Sequence, residues 1–471
     1  MNVKAYTGAA VLTVLLAGCS LAPQYQQPAM PVAENLPTYA APAGQQPPAA
    51  GVDDAAALSW NRFFTDPTLQ RLISTALENN RDLRQSALTV ESYQARYRIQ
   101  RAALLPSVSA TPYIARQRTF SSNREVDLEV AAFTVGITAY ELDLFGRVRN
   151  LKDDTLEQYL ALAETHRSAR LSLVSEVATA YLTLVADREL LTITEETFGN
   201  ESEAYALVEQ RLKEGIANQL DLAQARTAME NARVNLAHYR RQVAQDINGL
   251  ALLTGATAEK LEIDADSLNA LQPMAALPSR LSSQVLLQRP DIIAAEHQLK
   301  GANANIGAAR AAFFPTISLT ANAGYMSADL GNMFSDGGET WLFSPNISVP
   351  IFTGGRLRAE LDVATLRREI SVAGYEQAIQ TAFREVADAL VARTTYADQV
   401  AAQMASVEAN TNYYRMARER YRQGLDSYLT MLDAQRSLFS ARQAYVMTRL
   451  AGMVSQINLY KALGGGWKTK S

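Results

Sequence analysis

The 471-residue sequence predicts an α+β fold made of a duplicated unit, each copy a helix, a β-hairpin and a long helical hairpin. Three observations carry this. A single offset of 209 residues superimposes distant parts of the chain, two segments in each copy alternate apolar and polar residues, and the remaining long stretches lack proline and repeat with a helical period.

Met1 to Ser20 holds Lys4 ahead of the apolar run Val11 to Leu16 and ends in Leu16-Ala17-Gly18-Cys19. The run is too short to span a bilayer and reads as an export signal over residues 1–18. Leu-Ala-Gly-Cys resembles the bacterial lipobox, which makes the sole cysteine, Cys19, the expected lipidation site and first mature residue. Residues 21–50 contain seven of the sixteen prolines, so 19–59 is expected to be an extended, lipidated tether.

The repeat fixes the organisation of the mature chain. Arg101-Ala102-Ala103-Leu104-Leu105-Pro106-Ser107-Val108-Ser109 falls on Arg310-Ala311-Ala312-Phe313-Phe314-Pro315-Thr316-Ile317-Ser318, with five identities in nine. The same shift pairs Asp82 with Asp291, Arg147 with Arg356, Arg211 with Arg420, Gly215 with Gly424 and Gly255 with Gly464. The chain is therefore read as repeat 1 over 60–258 and repeat 2 over 269–466.

Each copy opens with a helix, expected at 68–104 and 281–313 and ended by Pro106 and Pro315. The period then changes to two. Ile317, Leu319, Ala321, Ala323 and Tyr325 alternate with Ser318, Thr320, Asn322 and Gly324, and Trp341, Phe343, Ile347 and Val349 with Leu342, Ser344, Asn346 and Ser348, which predicts strands at 316–327 and 341–350. Copy one repeats the pattern at 107–118 and 129–143. Long helices come next. Positions 113–272 and 351–471 contain no proline, and Leu432, Phe439, Val446, Met453 and Tyr460 recur every seven residues, a coiled-coil period. Turns back are expected at Lys213 to Gln219 and Arg422 to Ser427, around Gly215 and Gly424.

Four amphipathic strands cannot close a membrane barrel alone, and an open edge in lipid leaves backbone groups unsatisfied at several kcal/mol each. Strand spacing of ~4.8 Å and a tilt of ~40° give two chains a barrel ~16 Å wide, which side chains fill, and three chains ~24 Å. A homotrimer with a 12-stranded β-barrel continued by a 12-helix α-barrel is thus the smallest assembly with a lumen.

Composition excludes other classes. With 44 Lys and Arg against 48 Asp and Glu, no dense cationic face for nucleic acid is expected. His166, His238 and His297 are scattered and read as helix surface residues, leaving no metal site. Outside the signal, no run of ~18 apolar residues marks a transmembrane helix. No Gly-x-Ser-x-Gly, His-Glu-x-x-His or Walker loop is present, so neither an enzyme nor a cofactor is expected.

Glu141-Leu142-Asp143-Leu144-Phe145-Gly146-Arg147, Gln288-Arg289-Pro290-Asp291-Ile292, Tyr428-Leu429-Thr430-Met431-Leu432-Asp433-Ala434-Gln435 and Leu459 to Trp467 resemble the TolC-type outer-membrane factors. The resemblance is nearest to OprM-like efflux channel lipoproteins, and it covers the chain from Cys19 to Trp467. It implies a trimer lipid-anchored in the outer membrane, with its tunnel in the periplasm. Its implied partners are a periplasmic adaptor, or membrane fusion protein, and an inner-membrane RND transporter, the whole forming an exit duct for drugs, solvents or dyes. A duct for protein secretion and a pore-free coiled-coil lipoprotein scaffold are the alternative readings.

The resemblance also implies a gate where the helical hairpins turn. Asp221 matches the first-tip aspartate, Tyr421 the tyrosine that latches it, Leu429 the hydrophobic constriction and Asp433 the ring aspartate. Where TolC has a tip arginine this chain has Asp426, which makes Arg422 the nearer cationic candidate. Threefold symmetry would turn Asp433 into three mutually repelling carboxylates and Leu429 into an apolar ring that dewets when narrow. Read without the resemblance, Asp433 is an i to i+3 partner of Arg436, and Tyr421 packs in the helical seam.

Overall fold

The computed structural model describes residues 20–37, 58–121, 124–277, 282–328, 330–334 and 338–465. The signal segment 1–18, Cys19 and tether positions 38–57 lie outside the described residues. After a one-turn helix, Trp60–Phe63, come α1 (Pro67–Asn79), α2 (Arg81–Ala102), β1 (Val108–Ser121), β2 (Arg124–Glu141), α3 (Arg147–Lys213) and α4 (Gln219–Thr254). The second half continues with α5 (Pro290–Ala311), β3 (Thr316–Ser327), β4 (Glu339–Ser348), α6 (Arg356–Arg422) and α7 (Tyr428–Ala462). The 209-residue shift carries α2 onto α5 and α3 onto α6 at both ends. At 67 residues each, α3 and α6 are ~100 Å long.

The chain forms two compact units. The first comprises residues up to Ala29, Leu88–Ala163 and Ala294–Glu376 and holds the four strands found among the described residues, in the antiparallel order β1-β2-β3-β4. β2 begins five residues before its expected start and β4 ends two before its expected end. The register aligns Val108 with Ile137, Ile137 with Ala321, and Ala321 with Phe343. One face therefore collects Val108, Val135, Trp341, Phe343 and Ile347 while the other carries Thr111, Thr134, Asn322 and Ser344. The apolar face is bare: Trp341 is 77% exposed and Ile347 63%. Among the described residues β1 and β4 have no partner on their outer edges. Gly136 and Gly324 sit where β2 and β3 approach so closely that a Cβ would fall on Ala321 O or Phe133 O.

The corner from β2 into α3 is set by its motif. Gly146 takes a left-handed φ of 77°, and Asp143 caps α3 by accepting from the backbone N of Val148 at 3.1 Å and Arg149 at 2.8 Å. Arg147 pairs with Glu141, and Phe145 stacks on Phe314 at 4.7 Å. The described start of the tether is extended but held down. Ser20 donates to Asn150 at 3.0 Å, Tyr25 to Glu296 at 3.0 Å and Gln27 to Tyr375 at 2.9 Å. His297 departs from a plain surface residue: half-buried, it lies 2.6 Å from Glu157.

The second unit comprises Met30–Ala87, Glu164–Ile293 and Gln377–Ser471. The expected continuous opening helices are broken here at offset-equivalent positions. Asn80 separates α1 from α2 and donates to Leu253 O at 2.9 Å. Its counterpart Arg289 separates a 3-10 segment, Ser283–Gln288, from α5 and donates to Ala462 O at 2.9 Å, the carbonyl equivalent to that of Leu253. Arg289 is buried and paired with Asp291 at 2.7 Å and Glu385 at 2.8 Å. Phe63 stacks on Tyr460 at 4.3 Å. One 18-residue window of α3 has a mean hydropathy high enough to cross a membrane without being an uninterrupted apolar run, and 56% of it is buried inside the protein, as in a packed helix.

Candidate functional site

Both helix turns lie in the second unit and share one backbone solution. Gly215 and Gly424 have φ of 75° and 74°. The amide of Ile216 reaches Arg211 O at 2.8 Å and that of Leu425 reaches Arg420 O at 2.9 Å, the bonding of a Schellman cap. The returning helices are capped by Asn218, accepting from Asp221 N at 2.9 Å, and by Ser427, accepting from Thr430 N at 3.4 Å. Glycine, polar cap and their spacing are all carried from one copy to the other by the 209-residue shift.

Side chains then diverge. In the second turn Arg420 grips Asp426 with two bonds, 2.7 and 3.0 Å, and its guanidinium holds the Asp426 carboxyl below the usual range. Among the described residues it is Arg420, not Arg422, that pairs with Asp426; Arg422 is the exposed last residue of α6. In the first turn Ala217 stands where Asp426 would be, and Arg211 instead lies over the Tyr421 ring at 4.7 Å. Tyr421 is buried with Val208, Ala225, Ala228, Tyr428, Met431 and Leu432, edge-on to Tyr428 at 5.7 Å. It belongs to the seam that joins the two hairpins. Asp221 is the third residue of α4, where a carboxylate suits the helix dipole.

Leu429 and Asp433 are four residues apart on α7 and so share a face, which points away from that seam. Leu429 is 55% exposed. The Asp433 carboxylate accepts from Tyr413 at 3.5 Å. Arg436 instead lies near Glu201, whose charge it stabilises.

Sequence reading missed Glu201. It sits on α3 in the heptad-spaced series Thr194, Glu201, Val208, all buried, so its signal was a carboxylate at a seam position. Beside it, Asn231, Asn235, Gln435, Arg436 and Phe439 help line a cavity of about 80 Å³. Glu201 Oε2 and Gln435 Nε2, together with the nearby Tyr428 hydroxyl, are buried without a hydrogen-bond partner. Burial pushes the Glu201 carboxyl up to about 7, against the pull of Arg436. No sequence signal marked Asp187 and Asp246 either, where burial and the neighbouring Asp187 carboxyl push Asp246 up to about 7.

A chain with two copies of a strand hairpin and a long helical hairpin, an amphipathic sheet with open edges, and paired polar turns has the attributes of a membrane channel protomer. A sequence profile described as outer membrane efflux protein matches residues 72–256 and again 281–465, starts that lie 209 apart. Over 475 residues the chain is 51% identical to the toluene efflux pump outer membrane protein TtgC of Pseudomonas putida, covering 98% of this chain and 96% of that one. The crystal structure of a membrane protein from Pseudomonas aeruginosa superposes with a TM-score of 0.87 at 40% identity, over 95% of this chain and 98% of that one. The open state of the Neisseria gonorrhoeae MtrE outer membrane channel does so at 0.84 and 37%, over 96% and 99%. The chain belongs to the outer membrane efflux protein family, a family of outer-membrane channels.

Proposed function

We propose that this protein is the outer-membrane exit duct of a tripartite efflux pump, passively conducting drugs, solvents or dyes handed over by an inner-membrane RND transporter and a periplasmic adaptor. The observation that carries the reading is the sheet: four strands with an exposed apolar face, a polar opposite face and two open edges. In lipid those edges need partners. Three copies pair β1 of one with β4 of the next and place Trp341, Phe343 and Ile347 against hydrocarbon. Cys19, lipidated, anchors each copy.

The helix turns form the periplasmic gate. In a threefold assembly the outward face of α7 turns Leu429 into an apolar ring and Asp433 into a carboxylate ring one helical turn away. Asp221, Tyr421, Arg422 and Asp426 set the resting position, Tyr421 from the seam and Asp426 through Arg420. Adaptor binding opens the duct by an iris-like rotation of the second-copy hairpin, 403–440, while the first-copy hairpin stays. Replacing Leu429 or Asp433 by Ala is expected to raise resting conductance in planar bilayers; unchanged conductance removes both from the gate. Deleting the gene is expected to sensitise cells to toluene and to several antibiotic classes. Unchanged sensitivity in a strain lacking other exit ducts contradicts the transport reading.

A further inference from the structure

The segment joining the two repeats runs along α6 and α7 in the second unit and leaves a groove of about 420 Å³ against them, within the range of ~300–1,000 Å³ typical of small-molecule sites. Its walls are mainly apolar, with Met274, Ala397, Met453 and Leu459 among them. Two arginines enter it, Arg393 from α6 and Arg449 from α7, and no acidic side chain among the described residues lines it.

Among the described residues neither guanidinium has an acidic partner inside the groove. Arg393 Nη1 donates to the neutral carbonyl of Leu277 at 2.8 Å, and burial, with no acid to offset it, pulls its pKa down. Arg449 Nη2 donates to Leu268 O at 3.1 Å, while its Nη1 is buried with no hydrogen-bond partner. A buried donor on a charged group left unpaired is costly. An anion in the groove would give the two guanidiniums that line it a charged partner, and the apolar walls would cover a hydrocarbon body attached to that anion.

We propose that this groove is a binding site for a small anionic amphiphile, a carboxylate on a short hydrocarbon chain, with Arg393 and Arg449 holding the carboxylate and Met274, Met453 and Leu459 covering the tail. The site lies apart from the helix turns and stands whether or not those turns gate the duct.

The test is isothermal titration calorimetry of octanoate into the full-length protein in nanodiscs of zwitterionic lipid, with empty nanodiscs subtracted. Acetate supplies the charge without the tail, octanol the tail without the charge, and pentaglutamate an acidic peptide. Saturable octanoate binding is expected, at least about tenfold tighter than any control. It should weaken by at least about tenfold in Arg449→Gln, the worth of a charge-assisted hydrogen bond. Ala397→Trp, which keeps both arginines and fills the groove, should weaken it comparably. Absence of saturable binding, equal binding to both variants, or acetate, octanol or pentaglutamate binding as tightly as octanoate overturns the proposal.

Discussion

The two helix turns are one backbone device with two different side-chain programmes. Both use a left-handed glycine, a Schellman cap and a polar N-cap at positions related by 209 residues. Yet Arg420 is spent inside its own turn on Asp426, whereas Arg211, facing Ala217, is free to cover Tyr421 of the other hairpin. The second turn is closed on itself and the first reaches across to hold it. Gln224 against Asp433 and Glu201 against Asn410 extend the contrast up the helices. A duplicated scaffold can thus keep its backbone geometry while the side chains of its two turns make different contacts.

The largest effect should come from the shared seam. Tyr421→Ala removes a buried ring from the cluster that joins both turns and should cost about 3–5 kcal/mol of local stability, read as loss of amide protection in both tips. Loss confined to the second tip would show that the turns are independent.

Glu201 comes next, because only copy one has a buried carboxyl there. Its folded-state pKa, near 7, lies above the ordinary value, so the folded state binds the proton more tightly. Its favourable contribution is present below ~4.5 and lost as pH rises to about 7, at most about 3 kcal/mol. Tip stability of the native protein should fall across that window. Glu201→Gln should flatten that fall, and a retained slope would assign it to another group, Asp246 first.

Gly215→Ala and Gly424→Ala should each cost about 1–2 kcal/mol, since both force an L side chain into the left-handed region. Equal losses by hydrogen exchange support a common backbone device, and a loss at one turn alone breaks it. Smallest is Arg211→Ala, worth about 0.5–1 kcal/mol as a cation–π contact. It should loosen the second tip more than its own. The reverse would place its function inside the first turn.

Much of the architecture was legible because its signals are periodic. Alternation in Ile317 to Tyr325 marked a strand whose bounds match, and Gly215 and Gly424 marked both turns. The break at Asn80 was less legible: copy two announces its own with Pro290, but copy one has no proline or glycine there, and Asn80 instead caps α2 by accepting from Leu83 N at 2.9 Å while donating to the distant Leu253 O. At the candidate site the type of residue was readable and the partner was not. Arg420 and Arg422 look equivalent in sequence, and only the Schellman turn brings position 420 alongside 426. Glu201 drew no attention in the sequence because a lone carboxylate in a heptad shows its burial only once the neighbouring helices are in place.

Everything proposed for pore and gate depends on how many chains complete the sheet. Native mass spectrometry of the particle, extracted gently in detergent, counts them directly. Three copies per particle is the expected result; a single chain or a pair, with active material recovered in that form, would contradict the account.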